Sequence, residues 1–363
     1  MEKAIRLLFA AISIAVITAC GGGDVKSPSS TPSSVTPSGA VTTFAGAADE
    51  IGVTNGTGAA ARFAMPMDVA VDSSGNVYVA DASSSTIRKI TSAGVVTTFA
   101  GTALQKGNTD GTGADARFNS PQAVAVDSSG NVYVTEYYVG TIRKITSAGV
   151  VTTFAGTPGL RSPFIGVDGT GAGASFSQPH GIAVDSSGNV YVADYRTIRK
   201  ITSAGVVTTL AGPGDVSDLL NTGSSAYFRY ITDVAVDYRG NVYAVDAGAN
   251  SIKKITSAGV VTTFADTGTG TCDADGASAR FNNLKHVAVD SSGNVYVSDG
   301  SAIQKITIAG AVTTFAGAKC LRGSTDGTGA AARFDSPEGI AIDSSGTIYV
   351  ADYVKHTIRK ITP

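Results

Sequence analysis

The sequence predicts an all-β fold: a six-bladed β-propeller of four-stranded antiparallel blades, its ring closed by an N-terminal strand (40–45) that completes the last blade. Three observations predict it. The phrase "VAVDSSGNVYVAD" (69–81) returns in six variants, with its leading acid at Asp72, Asp127, Asp185, Asp237, Asp290 and Asp343, 52–58 residues apart. Six copies at this period match propeller blades of four strands each. Gly is abundant (44 residues), Val and Thr crowd the repeats, and Trp is absent. That composition suits short strands joined by tight turns. Finally, the last copy stops at "TIRKITP" (357–363) without a fourth strand, and the chain's first strand-like phrase, "SGAVTTFAG" (38–46), is the missing piece.

The segments preceding the repeats have a different character. "MEKAIRLLFAAISIAVITAC" opens with Lys3 and Arg6 and continues with a predominantly apolar stretch of 13 residues from Leu7 to Ala19. This stretch is too short to span a bilayer and has the layout of a secretion signal. It ends in Ile17-Thr18-Ala19-Cys20, which resembles the bacterial lipobox. The resemblance implies cleavage after residue 19 and lipid on Cys20, and several acyl chains give stable anchoring. Residues 20–38, rich in Gly, Ser, Pro and Thr, are expected to form a flexible tether. The expected organisation is a signal peptide (1–19), a lipidated tether (20–38) and a propeller (39–363). The expected location is the outer membrane or cell surface rather than the inner membrane, because Gly21 stands where some bacteria use Asp for inner-membrane retention. Cys272 and Cys320 occupy similar places in successive inter-repeat loops, and an exported protein permits a disulfide between them.

Each blade can be read in order from its letters. "DVAVD" (68–72) is the inner strand, "DSSGN" a hairpin turn in which Asp72 accepts backbone N–H groups, and "NVYVAD" the second strand. "TIRKIT" is the third, with Arg and Lys stems covering apolar surface while their heads reach water. "SAG" turns the chain into the outer strand, "VVTTFAG". The connections between copies end in phrases such as "DGTGADARF" (110–118). There the Asp is expected to cap a short turn, and the Phe to anchor neighbouring blades. These loops lack Ca²⁺-loop spacing and the Lys of a P-loop.

The pattern "PHGIAVDSSGNVYVAD" (179–194) followed by "TIRKI" resembles the NHL-repeat family of six-bladed propellers, over nearly all of residues 39–363. The resemblance implies the architecture and leaves activity open. The fold's relatives include binding scaffolds, sensor domains, an amidating lyase with a histidine-bound metal, and lactonase-like enzymes.

Functional residues are sought where the six copies differ. The two residues before each inner "VAVD" are Met67-Asp68, Gln122-Ala123, His180-Gly181, Thr232-Asp233, Lys285-His286 and Glu338-Gly339. They are expected to ring one mouth of the central channel. Loops after the second strand vary too. They share that face and contribute Tyr137, Tyr138, Tyr195, Arg196, Tyr353 and His356, residue types favoured at binding hot spots. The three histidines occupy no matching columns and no local ligand-pair spacing, so no cofactor is expected, and zinc or calcium is the minor alternative. Net charge is −2 and no basic stripe is present, which argues against nucleic acid. No G-x-S-x-G, H-E-x-x-H or dinucleotide fingerprint appears. The sequence therefore favours a non-catalytic envelope propeller that binds a protein, peptide or glycan through the long-loop face. The alternatives are a metal-dependent lyase or lactonase-like enzyme at the channel mouth, and a purely architectural protein.

Overall fold

Val, Tyr and Ile crowd the repeats because strands buried on both faces need branched and aromatic side chains. The computed structural model describes residues 39–162, 165–213, 222–266 and 281–363. The expected leader (1–19), lipidated Cys20, the tether through residue 38, and Cys272 lie outside the described residues. Cys320 is disulfide-bonded.

The repeats form six antiparallel sheets. In blade 1 the strands Pro66–Val71, Val77–Asp81, Thr86–Ile90 and Val95–Ala100 pair in that order from the axis outward. The inner strands of blades 2 to 6 are Val124–Val126, Pro179–Val184, Ile231–Val236, Leu284–Val289 and Pro337–Ile342. In blades 1, 2, 3 and 6 a two-residue Gly-Thr strand, such as Gly111–Thr112, covers the outer edge. An edge covered in this way cannot recruit a foreign strand.

Blade 6 closes as the sequence predicts. Its fourth strand is Ala40–Ala45, paired antiparallel with Thr357–Thr362 so that Val41 faces Ile361 and Thr43 faces Arg359. The same bulge recurs at this position in all six blades, and the extra residue in blade 6 is Phe44. A bulge re-aims one side chain. Here it sets Phe44 against Tyr349 (5.5 Å between ring centroids), as Phe99 is set against Tyr78 (5.3 Å). Val41 is buried in the cluster between blades 5 and 6, and Ala45 in the cluster between blades 6 and 1. One N-terminal strand thus enters two seams.

The turns follow their letters. Asp72 Oδ1 accepts the backbone N–H groups of Ser74 and Asn76 (2.9 and 2.8 Å), while Gly75 adopts φ +76°. The six inter-blade phenylalanines, Phe63, Phe118, Phe176, Phe228, Phe281 and Phe334, are fully buried.

Two local expectations are corrected. The third-strand arginines do not reach water: Arg88, Arg143, Arg199 and Arg359 are at most 1% exposed. Arg143 lies over the Phe118 ring (5.3 Å) and pairs with Glu136 (3.0 Å) and Asp110 (2.7 Å). The neighbouring lysines hold their ammonium groups over tyrosine rings, as Lys89 does 5.2 Å from Tyr78. The loop Asp does not cap the 3₁₀ turn that follows either. That turn, Gly113–Asp115, has Thr112 at its N-cap with no side-chain cap bond. Asp110 is instead the second carboxylate on the arginine, which explains why "DGTGA…RF" and "TIRKI" recur together. A guanidinium donates in two directions at once, and a buried one needs both partners. Burial pushes Asp81 up to about 6 even with Arg88 beside it.

Candidate functional site

Every inner strand begins on the same face of the ring, so the variable pair before "VAVD" is delivered six times to one place. The result is a cavity of about 460 Å³ at the channel mouth. Met67, Gln122, His180, Thr232, Lys285 and Glu338, one from each blade, line it with Ala123, His286, Tyr230, Ser336 and Tyr353. A second, smaller space of about 200 Å³ lies further along the axis, walled by the Val, Ala and Ile residues of the same strands.

Between the two spaces the axis is filled by charge. His286 Nδ1 lies 3.4 Å from Asp233 Oδ2 and 3.7 Å from Asp68 Oδ1. All three side chains are under 10% exposed. Each carboxylate also accepts a backbone N–H from the next blade: Asp68 from Val124 (2.9 Å) and Asp233 from Val287 (2.8 Å). Burial works against a charged His286. The Asp233 carboxylate, then Asp68 and Glu338, outweigh it and raise the imidazole to about 9. Burial raises Asp68 to about 7, opposed by His286 and reinforced by Asp233. Room for this cluster comes from two glycines in the same ring of positions. A Cβ on Gly181 would sit 2.0 Å from Asp233 Oδ1, and one on Gly339 would sit 2.1 Å from Asp68 Oδ1.

The wall above this floor is aromatic on one side. The ring of His180 lies 4.6 Å from Tyr137 and 5.4 Å from Tyr230, and Tyr195 packs on Tyr230 at 5.9 Å. Tyr138, 59% exposed, sits edge-on to Tyr137 at the rim. Burial, then the charges of His286, Arg161 and Lys285, lower His180 to about 4. Its imidazole is therefore neutral, and Nε2 meets the Tyr230 hydroxyl at 2.5 Å. Burial, then Tyr137 and Tyr195, pushes that hydroxyl up to about 12. On the opposite side Lys285 Nζ pairs with Glu338 Oε1 at 3.4 Å.

Thus Met67, Gln122, His180, Lys285, His286, Glu338 and Tyr353 face the cavity, Tyr137, Tyr138 and Tyr195 extend its wall, and Asp68 and Asp233 lie beneath its floor. Arg196 belongs elsewhere. Its Nε donates to the Phe228 carbonyl (3.0 Å) and its guanidinium covers Tyr227. His356 is engaged locally, its Nδ1 accepting from the Met65 N–H at 3.4 Å. Sequence comparison passed over Tyr230 and Ser336. Both occupy the column two residues before Met67 and its counterparts, which holds Met65, Ser120, Gln178, Tyr230, Asn283 and Ser336, five residue types in six copies. Among the described residues no three His, Cys, Asp or Glu side chains converge as a metal-binding group.

Comparison with known proteins agrees with this architecture. The NHL repeat family matches residues 63–90, 118–145 and 334–361, and the teneurin NHL domain matches 162–226. Human teneurin-4 is 25% identical over 353 aligned residues, covering 85% of this chain, while the chain spans 12% of the length of teneurin-4. An auxiliary nutrient binding protein from Bacteroides ovatus superposes with a TM-score of 0.63 at 17% identity, covering 90% of this chain and 77% of that one. Virginiamycin B lyase from Staphylococcus aureus superposes at 0.52 and 16% identity, covering 82% of this chain and 94% of that one. At these identities the structural likeness is one of fold. The chain is a six-bladed β-propeller that carries NHL repeats at residues 63–90, 118–145 and 334–361.

Proposed function

We propose that this protein is a non-catalytic binding propeller, held by lipid on Cys20 at the bacterial outer membrane or cell surface, which takes a protein, peptide or glycan at its channel mouth. The carrying observation is the contrast between framework and mouth. The turns and the strand cores are nearly the same in six blades, while the cavity-lining column holds six different residue types. A concave site with a few convergent polar groups is the usual form of a ligand pocket. The auxiliary nutrient binding protein of the same fold lends support to a binding role. The lyase or lactonase reading needs carboxylates or imidazoles offered to a substrate or metal. Asp68, Asp233 and His286 are instead committed to one another and to the backbone, and of the two that line the cavity beside His286, Glu338 pairs with Lys285 and His180 with the Tyr230 hydroxyl.

Affinity capture with the full chain, compared with a Tyr137→Ala, Glu338→Ala variant of unchanged melting temperature, tests the binding role. A species retained by the wild type and lost by the variant supports it; identical retention by both contradicts it. The anchor has a separate test. Cys20→Ser should move the protein from the membrane to the soluble fraction, and continued membrane association would refute lipid attachment there.

A further inference from the structure

We infer that the mouth cavity takes the terminal sugars of a neutral oligosaccharide, with the aromatic wall against the C–H face of a sugar ring and the opposite wall against its hydroxyls. This rests on the binding role proposed above and narrows it to one ligand class.

The two walls make different demands, and a ligand must satisfy both. On one side the His180 ring lies between Tyr137 and Tyr230, and its hydrogen bond to the Tyr230 hydroxyl holds the arrangement before any ligand arrives. His180 and Tyr230 line the cavity, while Tyr137 backs His180 and is itself covered by the Arg161 guanidinium at 4.8 Å; such rings offer an apolar surface with polar tips, and a surface fixed in advance loses little entropy on binding. On the other side stand Lys285 and Glu338, with Gln122 beside the aromatic wall, and together the three supply several donors and acceptors. Lys285 and Glu338 already pair with each other, so this wall has no net charge to neutralise. A wholly apolar ligand would strip water from these three groups and return nothing. A cationic ligand would stand beside Lys285 and His286, whose positive charges, with that of Arg161, add to burial in keeping His180 unprotonated. An anionic ligand would meet the Glu338 carboxylate on the wall that should receive it. A pyranose meets neither penalty, since its ring carbons present an apolar face and its rim presents hydroxyls that both donate and accept. The cavity, of about 460 Å³, is floored by His286 rather than open as a groove, which favours a chain end over a passing segment.

The test uses the detergent-solubilised full chain on an array of neutral and uronic-acid oligosaccharides, with hits titrated calorimetrically. The expected result is binding of neutral oligosaccharides. Tyr137→Ala and Glu338→Gln should each weaken it by about tenfold or more, the effect of one lost stacking or charge-assisted contact. Tyr137→Phe, which keeps the ring, and Tyr238→Ala, on the opposite face, should stay within about twofold. Binding restricted to uronic acids, or sugar binding indifferent to the two mouth variants, overturns the inference. If no sugar binds but a random peptide library yields ligands that depend on Tyr137, the carbohydrate assignment fails and the binding mouth stands. If neither sugars nor peptides bind in a Tyr137-dependent way, both fail.

Discussion

Truncating Val41 to Ala should destabilise the protein as much as truncating Val96. Val96 lies in the continuous outer strand of blade 1, and Val41 holds the same place in the N-terminal strand that completes blade 6. Both side chains are 1% exposed. Val41 packs with Tyr296, Ile303, Phe334 and Ile361 in the seam of blades 5 and 6. Removing two buried carbons at about 0.8 kcal/mol each, plus the unfilled cavity, costs about 2–3 kcal/mol. For a large domain that is a fall in melting temperature of roughly 5 °C. Thermal unfolding followed by far-UV circular dichroism measures both variants under one condition. Similar falls are expected. A normal melting temperature for Val41→Ala beside a lowered one for Val96→Ala would refute the clasp, since it would mean the ring holds without its N-terminal strand. Deleting residues 38–46 should be more damaging still, whereas deleting 21–37 should leave the melting temperature unchanged.

Arg143→Leu leaves Glu136 buried without its cation and should cost about 3–5 kcal/mol in a urea titration, with a much smaller loss counting against the buried pair. Gly339→Ala forces a methyl group against the Asp68 carboxylate and should lower stability by about 3 kcal/mol; a neutral effect would show that the axial cluster is loosely held. His286 has a folded pKa of about 9, above its unfolded value of about 6.5. The folded state therefore holds a proton that the unfolded state has lost across that window, and stability must fall as pH rises through it. Melting temperature should decline from about pH 7 to about pH 9, and His286→Gln should flatten that decline; an unaltered slope in the variant would disprove the charged imidazole.

Strand order, blade count and closure were legible in the sequence because six near-copies repeat one alternation of valines, turns and acids. The missing last strand was legible because its letters survive at the other end. The destination of Arg88 and its counterparts was not, because an arginine in a strand looks the same whether its head turns outward or inward. Only the fold brings Asp110 of the loop and Glu136 of the second strand to Arg143 together. At the mouth, comparing copies picked out the lining column, since the propeller carries equivalent positions to equivalent places. The axial grouping of Asp68, Asp233 and His286 was hidden, because it depends on Gly181 and Gly339 leaving space across the ring. Arg196 looked like its tyrosine neighbours in sequence but turns toward Phe228.

Two exposed tyrosines on opposite faces allow the binding mouth to be tested most directly. Tyr138 (59% exposed) stands at the rim of the cavity, and Tyr238 (69% exposed) lies in the turn between the first two strands of blade 4, at the far end of the axis. A photoreactive phenylalanine placed at each position in turn and irradiated in intact cells samples each face in its native setting. The account predicts a specific adduct from position 138 and none from position 238. An adduct from 238 with none from 138 would contradict it.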